Sequence, residues 1–572
     1  MNQALHVMKK DAKRLRWAMI VWILIAAANA GLMVGRPAFE LQGFGITMVF
    51  AQLTGLVSLI ELVMMVLIVS WLVHEDPAVD REAFWLTRPI DPRRLSLAKI
   101  AVASAALIGV PLVAQLAVMR IFGVTAYDMA RATPSILLGQ GAWVMALMAG
   151  AALTPSLSRY AVFLVGVAGA FVLLTSTMIA AAVLSGDITA STARPEVLDP
   201  LPPLIAATVA IALCIAIVFV EYRYRRIKWG AALAAVGILL IVLLPMVWEP
   251  FHGRDLPDPD PGGWAQDEAR VAPQIGSEPP NVSDEIDFGR RGESKKRIAI
   301  PLQLSGLPGD FYVRGVQAHS RFDAANGTVL STAAEMVPVR RTGRSDDAQY
   351  GEVAAIQGAL AKIPLRGRES VDEYELWPVV LSLTEREFAQ FGRVAGKLTA
   401  TLDFYLARAS VAGAVPLAEP RSMTDSRRRM DIIGIDRRGD ACTIDLRVVS
   451  VGAAFHPHYF SRDEFVLRNA GKGEAVSAGV HDGGLHSTSA LGFLFGMASG
   501  GGGYGYDSIG PDGSGFSARA SRYRFPPESP RGEASPAIDP AWVAGAELVR
   551  ISISYAGHVT RSLTIENFRI AQ

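Results

Sequence analysis

Seven long apolar runs crowd the first 248 residues of this 572-residue chain, at 17–34, 43–73, 100–118, 134–153, 160–184, 204–220 and 229–248. Each is near the roughly 20 residues that a helix needs to cross a hydrocarbon core about 30 Å thick. Seven such runs in one half of a chain are hard to place as core helices of a soluble fold. The sequence therefore predicts an α-helical polytopic membrane domain over 17–248. The run at 43–73 is too long for an upright crossing, so it should tilt or begin as an interfacial turn.

The chain is 51% hydrophobic with a mean hydropathy of +0.29, and the surplus lies in that first half. A net charge of +1 gives no footing for a nucleic-acid partner. The two cysteines, Cys214 in an apolar run and Cys442 in the polar half, exclude a disulfide framework. Any domain outside the membrane must rest on a hydrophobic core instead.

Lysine and arginine placement orients the runs. Lys9, Lys10, Lys13, Arg14 and Arg16 precede the first. Arg81, Arg88, Arg93, Arg94 and Lys99 follow the second, Arg159 lies between the fourth and fifth, and Arg223, Arg225, Arg226 and Lys228 follow the sixth. The alternate loops, 35–42, 120–133 and 185–203, are poorer in positive charge. This predicts a multi-pass protein of a bacterial inner (plasma) membrane with a cytoplasmic amino terminus. With seven crossings, everything after Trp248 is periplasmic or extracellular. Residues 1–16 carry Leu5, Met8, Ala12 and Leu15 at roughly helical spacing between lysines, which predicts an amphipathic helix on the inner leaflet; the alternative is a disordered basic tail. The segment does not read as a cleavable signal peptide.

Residues 249–285, rich in Pro, Gly and Asp, read as an extended linker. Beyond it, 286–572 reads as a mainly-β, sandwich-like domain of one or two subdomains. Period-two patterns predict strands at 297–304, 397–406, 442–449 and 516–525, and a hairpin of 548–555 and 558–565 around Ala556-Gly557. The best helix outside the membrane runs over 349–363. No catalytic constellation is present. His456-Pro457-His458, with His481 and His486 downstream, lacks the spacing of a metal site, and Gly500–Gly505 lacks the Lys-Ser/Thr of a phosphate loop. No metal, no cofactor and no enzymatic activity are expected of this chain.

Glu61 is the one carboxylate in the middle of an apolar run. Burial there is costly, so it should face the bundle interior. It is either a conformational or substrate-path residue or the partner of a helix–helix hydrogen bond, for which Gln52, Gln115 and Gln140 are candidates; Asn29 in the first run has the same ambiguity. The loop 74–99 is the strongest local signal. Pro77 can open a short helix that places Ala83, Phe84 and Leu86 near one side and ends at Arg88-Pro89, before a second turn leads into the third run. Such a helix suits a groove on a cytosolic protein, or else anchors in headgroups through Phe84 and Trp85.

An amphipathic entry helix, two runs, a loop E-D-P-x(7)-W-L-T-R-P-I-x-x-R-R-L-x-L-A-K and four further runs resemble an ABC transporter permease of the type-2 exporter class, over roughly residues 1–228. The resemblance implies that Glu75, Asp76, Phe84, Trp85, Arg88, Pro89, Arg93 and Leu95 form a coupling region that contacts a cytosolic ATP-binding subunit. It also implies a homodimer or heterodimer of permeases in the lipid bilayer, with ATP held by the partner subunit. The seventh run and the outer domain are additions to the six-run pattern. Two functions follow. One is a permease subunit that exports or extracts an apolar substrate. The other is a membrane-anchored binding or sensory protein whose outer domain recognises an envelope ligand or partner.

Overall fold

The computed structural model describes residues 3–42, 44–75, 91–167, 169, 197–198, 201–224, 228–237, 271–276, 278–286, 294–332, 336–338, 350–366, 376, 378–417, 422–424, 428–438, 441–451, 458–459, 461–480, 516–526 and 538–570. Long apolar helices occupy the amino-terminal half and a mainly-β region follows.

A basic helix α1 (Gln3–Arg14) leads into α2 (Arg16–Glu40) and α3 (Phe44–His74). Next come α4 (Pro92–Ala103), a π-helical turn (Ser104–Gly109) and α5 (Val110–Ile121), which together make one continuous run. Then follow α6 (Ala126–Leu153), α7 (Leu157–Val167), α8 (Leu201–Tyr224) and α9, residues 228–237. Among the described residues five helices, Arg16–Glu40, Gly45–His74, Pro92–Ile121, Ala126–Leu153 and Ala207–Tyr224, are long and apolar enough to cross a membrane. Most of the runs predicted at 160–184 and 229–248 lies outside the described residues; α7 and α9 are helical starts of them.

Two predicted loops are shorter than expected, because the helices extend past the apolar runs. The helix of the first run, α2, continues through Pro37 to Glu40. The helix expected at 134 starts at Ala126, because Thr125 caps it: its hydroxyl accepts the Asp128 N–H at 3.2 Å. Asp91 caps α4 likewise, accepting from the Arg93 N–H at 3.1 Å with Pro92 in the first turn. The bundle core gathers Trp22, Ile68, Leu72, Leu95, Leu107, Met148, Tyr160 and Tyr222. The Trp22 indole N–H donates to the Ala106 carbonyl within the π-helical turn, at 3.0 Å.

The β region is built on β11 (Ala395–Pro416), paired along its length with β20 (Glu547–Arg569). The hairpin expected around Ala556-Gly557 is therefore absent, and β20 runs straight through. Leu406 pairs with Gly557 and Ala407 with Tyr555, which leaves Ala556 as a bulge. Gly557, at φ +129, takes the conformation that a residue with a Cβ avoids. The sequence shows two alternating segments with a glycine between them; only the long partner decides that they continue rather than fold back.

An eight-stranded sheet extends from that pair. On one side lie β6 (Phe311–Ala324), β7 (Val329–Thr332) and β8 (Met336–Pro338); on the other lie β16 (Ser461–Asn469), β17 (Glu474–Ser477) and β9 (Leu365–Arg366). A five-stranded sheet holds β12 (Ser422–Thr424), β13 (Arg428–Arg438), β14 (Ala441–Val451), β19 (Phe516–Phe525) and β18 (Gly479–Val480). A smaller sheet pairs β10 (Val379–Thr384), β4 (Ser294–Ala299) and β3 (Asn281–Ile286), while β2 (Ala272–Ile275) pairs with β5 (Leu302–Ser305). The strand predicted over 297–304 is thus split into β4 and β5 at Pro301, which lacks a ladder donor. The last part of the stretch expected as linker, 249–285, is paired strand in β2 and β3. Its extended backbone is already the strand conformation, and β4 and β5 supply the partners.

Successive side chains on a strand point to opposite faces. Leu398, Ala400, Leu402, Phe404 and Leu406 of β11 join a core with Ile298, Leu381 and Leu383 of the small sheet. Ala407 and Ala409, on the opposite face, pack with Val353 and Ile356 of α10 (Tyr350–Ala359), inside the helix expected at 349–363. Beyond a bulge at Ala412, Val415 and Leu417 enter a third core with Met430, Cys442, Ile444 and Phe525 of the five-stranded sheet. Both cysteines are free, and burial pushes the Cys442 thiol up to about 11.

Candidate functional site

The predicted coupling loop leaves α3 at Glu75 and rejoins α4 at Asp91. Of its proposed residues, Asp76, Phe84, Trp85, Arg88 and Pro89 lie outside the described residues. Glu75, Arg93 and Leu95 are described, and the fold uses each differently. The Glu75 carboxylate pairs with Lys10, at 3.2 Å, and with Arg14 of α1. Leu95 is 1% exposed and packs in the bundle core, so it has no surface to offer a partner. Arg93 is exposed on the first turn of α4 and faces the last turns of α8.

What holds the base of this loop is α1. Its buried row is Val7, Asp11 and, just beyond the helix, Leu15; of the row expected from Leu5, Met8, Ala12 and Leu15, Leu15 is buried and Met8 packs half-buried on the bundle core, whereas Leu5 and Ala12 are exposed. The row includes a carboxylate because Lys99 of α4 meets it: Nζ lies 3.1 Å from Asp11 Oδ2, and the side chains are 0% and 1% exposed. Sequence reading passed over this pair, although the spacing of Val7, Asp11 and Leu15, every fourth residue, carried the signal. The His74 ring ties α3 to the end of α6, with Nδ1 3.0 Å from the Ser70 carbonyl oxygen and Nε2 3.1 Å from that of Thr154.

The opposite ends of the helices meet the β region. The Glu40 carboxylate, held by Arg36, accepts the Ala520 N–H of β19 at 2.8 Å. Phe122, after α5, packs against Phe516 of β19 with ring centroids 6.0 Å apart, and the Arg447 guanidinium of β14 lies 5.6 Å from the Phe122 ring. Asp431 accepts from Arg429 at 2.9 Å and from Arg447 at 2.8 Å, holding both arginines at this junction. Gly123, at φ +76, leaves room for Arg429, which a Cβ would displace. Strand β1 (Val197–Leu198), just before α8, pairs with β15 (His458–Tyr459). Each of the three charge-poor loops thus contributes to the contact with the β region, whereas α1, Glu75, Thr154 and Arg223 lie at the other ends of the helices.

Within the bundle, Glu61 accepts the Asn29 side-chain N–H at 2.8 Å, joining α3 to α2. Among the described residues the donor to Glu61 is Asn29 and none of the three glutamines considered for that role: Gln52 is exposed, and the side-chain oxygens of Gln115 and Gln140 are buried without a hydrogen-bond partner there. A double-mutant cycle of Asn29→Ala and Glu61→Ala, read by unfolding in detergent, is expected to give a coupling of about 1 kcal/mol. Additive effects would mean that Glu61 serves something other than this contact. A second carboxylate, Glu221, is fully buried near the end of α8 against Gly230 of α9, where any larger residue would collide with it. Among the described residues no cluster of three His, Cys, Asp or Glu side chains could hold a metal ion; His456, His481 and His486 lie outside them.

No family model, curated protein or solved structure matches this chain.

Proposed function

We propose that this chain is the permease subunit of an ABC-type transporter in a bacterial plasma membrane, crossing it seven times. A separate cytosolic ATP-binding subunit docks on the loop between α3 and α4, and ATP is hydrolysed there rather than on this chain. The amino terminus is cytoplasmic and the β region, layered like a sandwich around its long sheet, is extracytoplasmic. The subunit dimerises with itself or with a second permease, and the substrate is apolar.

One observation carries this reading: the two ends of the bundle have separate duties. One end anchors the loop through the ion pairs of α1 with Glu75 and Lys99. The other end carries the β region on Glu40, Phe122 and β1. The alternation of helix ends between these two faces supports an odd number of crossings. A push on the loop moves the bases of α3 and α4. The continuous helix Pro92–Ile121 delivers that motion to Phe122, beneath β19.

Co-expression with a candidate ATP-binding subunit taken from the gene neighbourhood tests the proposal. Wild type is expected to co-purify with that subunit, and Trp85→Ala/Arg88→Glu to lose the association at least tenfold, with an unchanged elution profile of the folded chain. Failure of the wild type to bind any ATPase would overturn the permease reading. The β region would then be the functional part, and ligand screens on it the next step.

A further inference from the structure

A cleft of about 210 Å³ opens where the first turn of α4 meets the end of α8, lined by Arg93, Phe219, Val220, Arg223 and Tyr224. Four other cations near this end of the bundle have carboxylate partners within the chain: Lys10 and Arg14 with Glu75, Arg94 with Asp91, and Lys99 with Asp11. Among the described residues no carboxylate pairs with Arg93 or Arg223. Both are exposed, and Arg223 lies over the Tyr224 ring at 5.4 Å from its centroid. Among the described residues the cleft therefore combines an apolar wall with two guanidinium groups that no carboxylate pairs, and no acidic residue lines it.

Its height along the helix adds to this. Tyr224 is the last residue of the apolar stretch Ala207–Tyr224, and exposed Trp229 follows. Tyrosine and tryptophan in such positions sit at headgroup level. A phosphodiester there meets donors whose planar fork matches its oxygens, while Phe219 and Val220 face the glycerol and upper acyl carbons. Two positive charges without a carboxylate favour a headgroup of net negative charge over a zwitterionic one.

We infer that this cleft binds the headgroup of an anionic phospholipid. The inference rests on the membrane placement proposed above, not on the ATPase partnership, so the co-purification experiment can fail without affecting it. It gives Arg93 a task different from contact with the cytosolic subunit.

The test uses the full chain in detergent, titrated with short-chain phosphatidylglycerol, phosphatidylcholine or inorganic phosphate, with bound lipid counted by native mass spectrometry. Wild type is expected to prefer phosphatidylglycerol. Arg93→Gln/Arg223→Gln is expected to weaken that binding about thirtyfold, from roughly one interaction of surface strength per arginine. The control Arg94→Gln/Arg159→Gln removes the same charge from exposed positions outside the cleft and should change binding less than twofold. If the first pair does not fold, Arg93→Gln alone, on an exposed first turn, should weaken binding about fivefold. Equal losses in both pairs would reduce the effect to general surface charge and overturn the site. Inorganic phosphate binding as tightly as the lipid would make it a free-anion site and overturn the assignment to lipid.

Discussion

Asp11→Ala is expected to destabilise the helical half by about 3–5 kcal/mol, because it leaves the Lys99 ammonium buried without its counter-charge. Against a whole-domain stability of about 5–15 kcal/mol, that is enough to lower the yield of folded protein sharply. Lys99→Met should do comparable harm by stranding the carboxylate. The double variant Asp11→Leu/Lys99→Met should recover most of the loss, since a well-packed apolar pair often replaces a buried ion pair at little cost. The measurement is the unfolding midpoint in a denaturant titration of detergent-solubilised protein. An Asp11→Ala variant as stable as wild type would show that α1 does not depend on this pair. The consequence reaches the loop, because α1 also holds Glu75 through Lys10 and Arg14. A chain with α1 loosened should therefore also lose affinity for a partner that docks there.

At the other end, Phe516→Ala should cost about 3–5 kcal/mol of the contact between the β region and the bundle, the usual range for truncating a buried phenylalanine. Phe516 and Phe122 are each 5% exposed and share a core with Val118, Met119, Ile136 and Val449. Phe122→Ala should cost a similar amount. The double variant should show a coupling of about 0.5–1.5 kcal/mol, because the rings touch each other. Hydrogen exchange reports the same event locally: the Ala520 amide, held by Glu40, should exchange faster in either variant while amides of β11 and β20 stay protected. Strict additivity with an unchanged Ala520 amide would mean that the two halves do not pack here in the protein. Should transport activity be found, these variants would also uncouple it, since the motion proposed for the bundle passes through this contact.

Much of the architecture was legible because two periodicities are strong. Apolar runs of crossing length marked α2, α3, α6 and α8, and alternation marked β14 and β19 within a residue or two of their ends. The failures have physical causes. Helix ends were misplaced where caps, not hydropathy, decide them, as at Thr125. The Ala556-Gly557 hairpin failed because the same dipeptide serves a turn or a bulge, and only the strand opposite selects between them. Asn29, not a glutamine, became the partner of Glu61, because which faces of α2 and α3 meet is a matter of packing.

Hydropathy and charge placement in the sequence determined that the chain begins as a set of apolar helices, that a β-rich part follows, and which loops are basic. Those properties are local sums over neighbouring residues, so no partner is needed to read them. The tertiary structure alone decided that Asp11 and Lys99 neutralise each other in the bundle, that Leu95 is core rather than contact surface, and that Glu40, Phe122 and β1 carry the β region. It also brought Arg93 and Arg223, 130 residues apart in sequence, to one cleft. Pairings of that kind depend on which helix faces meet, and a buried charge reveals its partner only once those faces are packed.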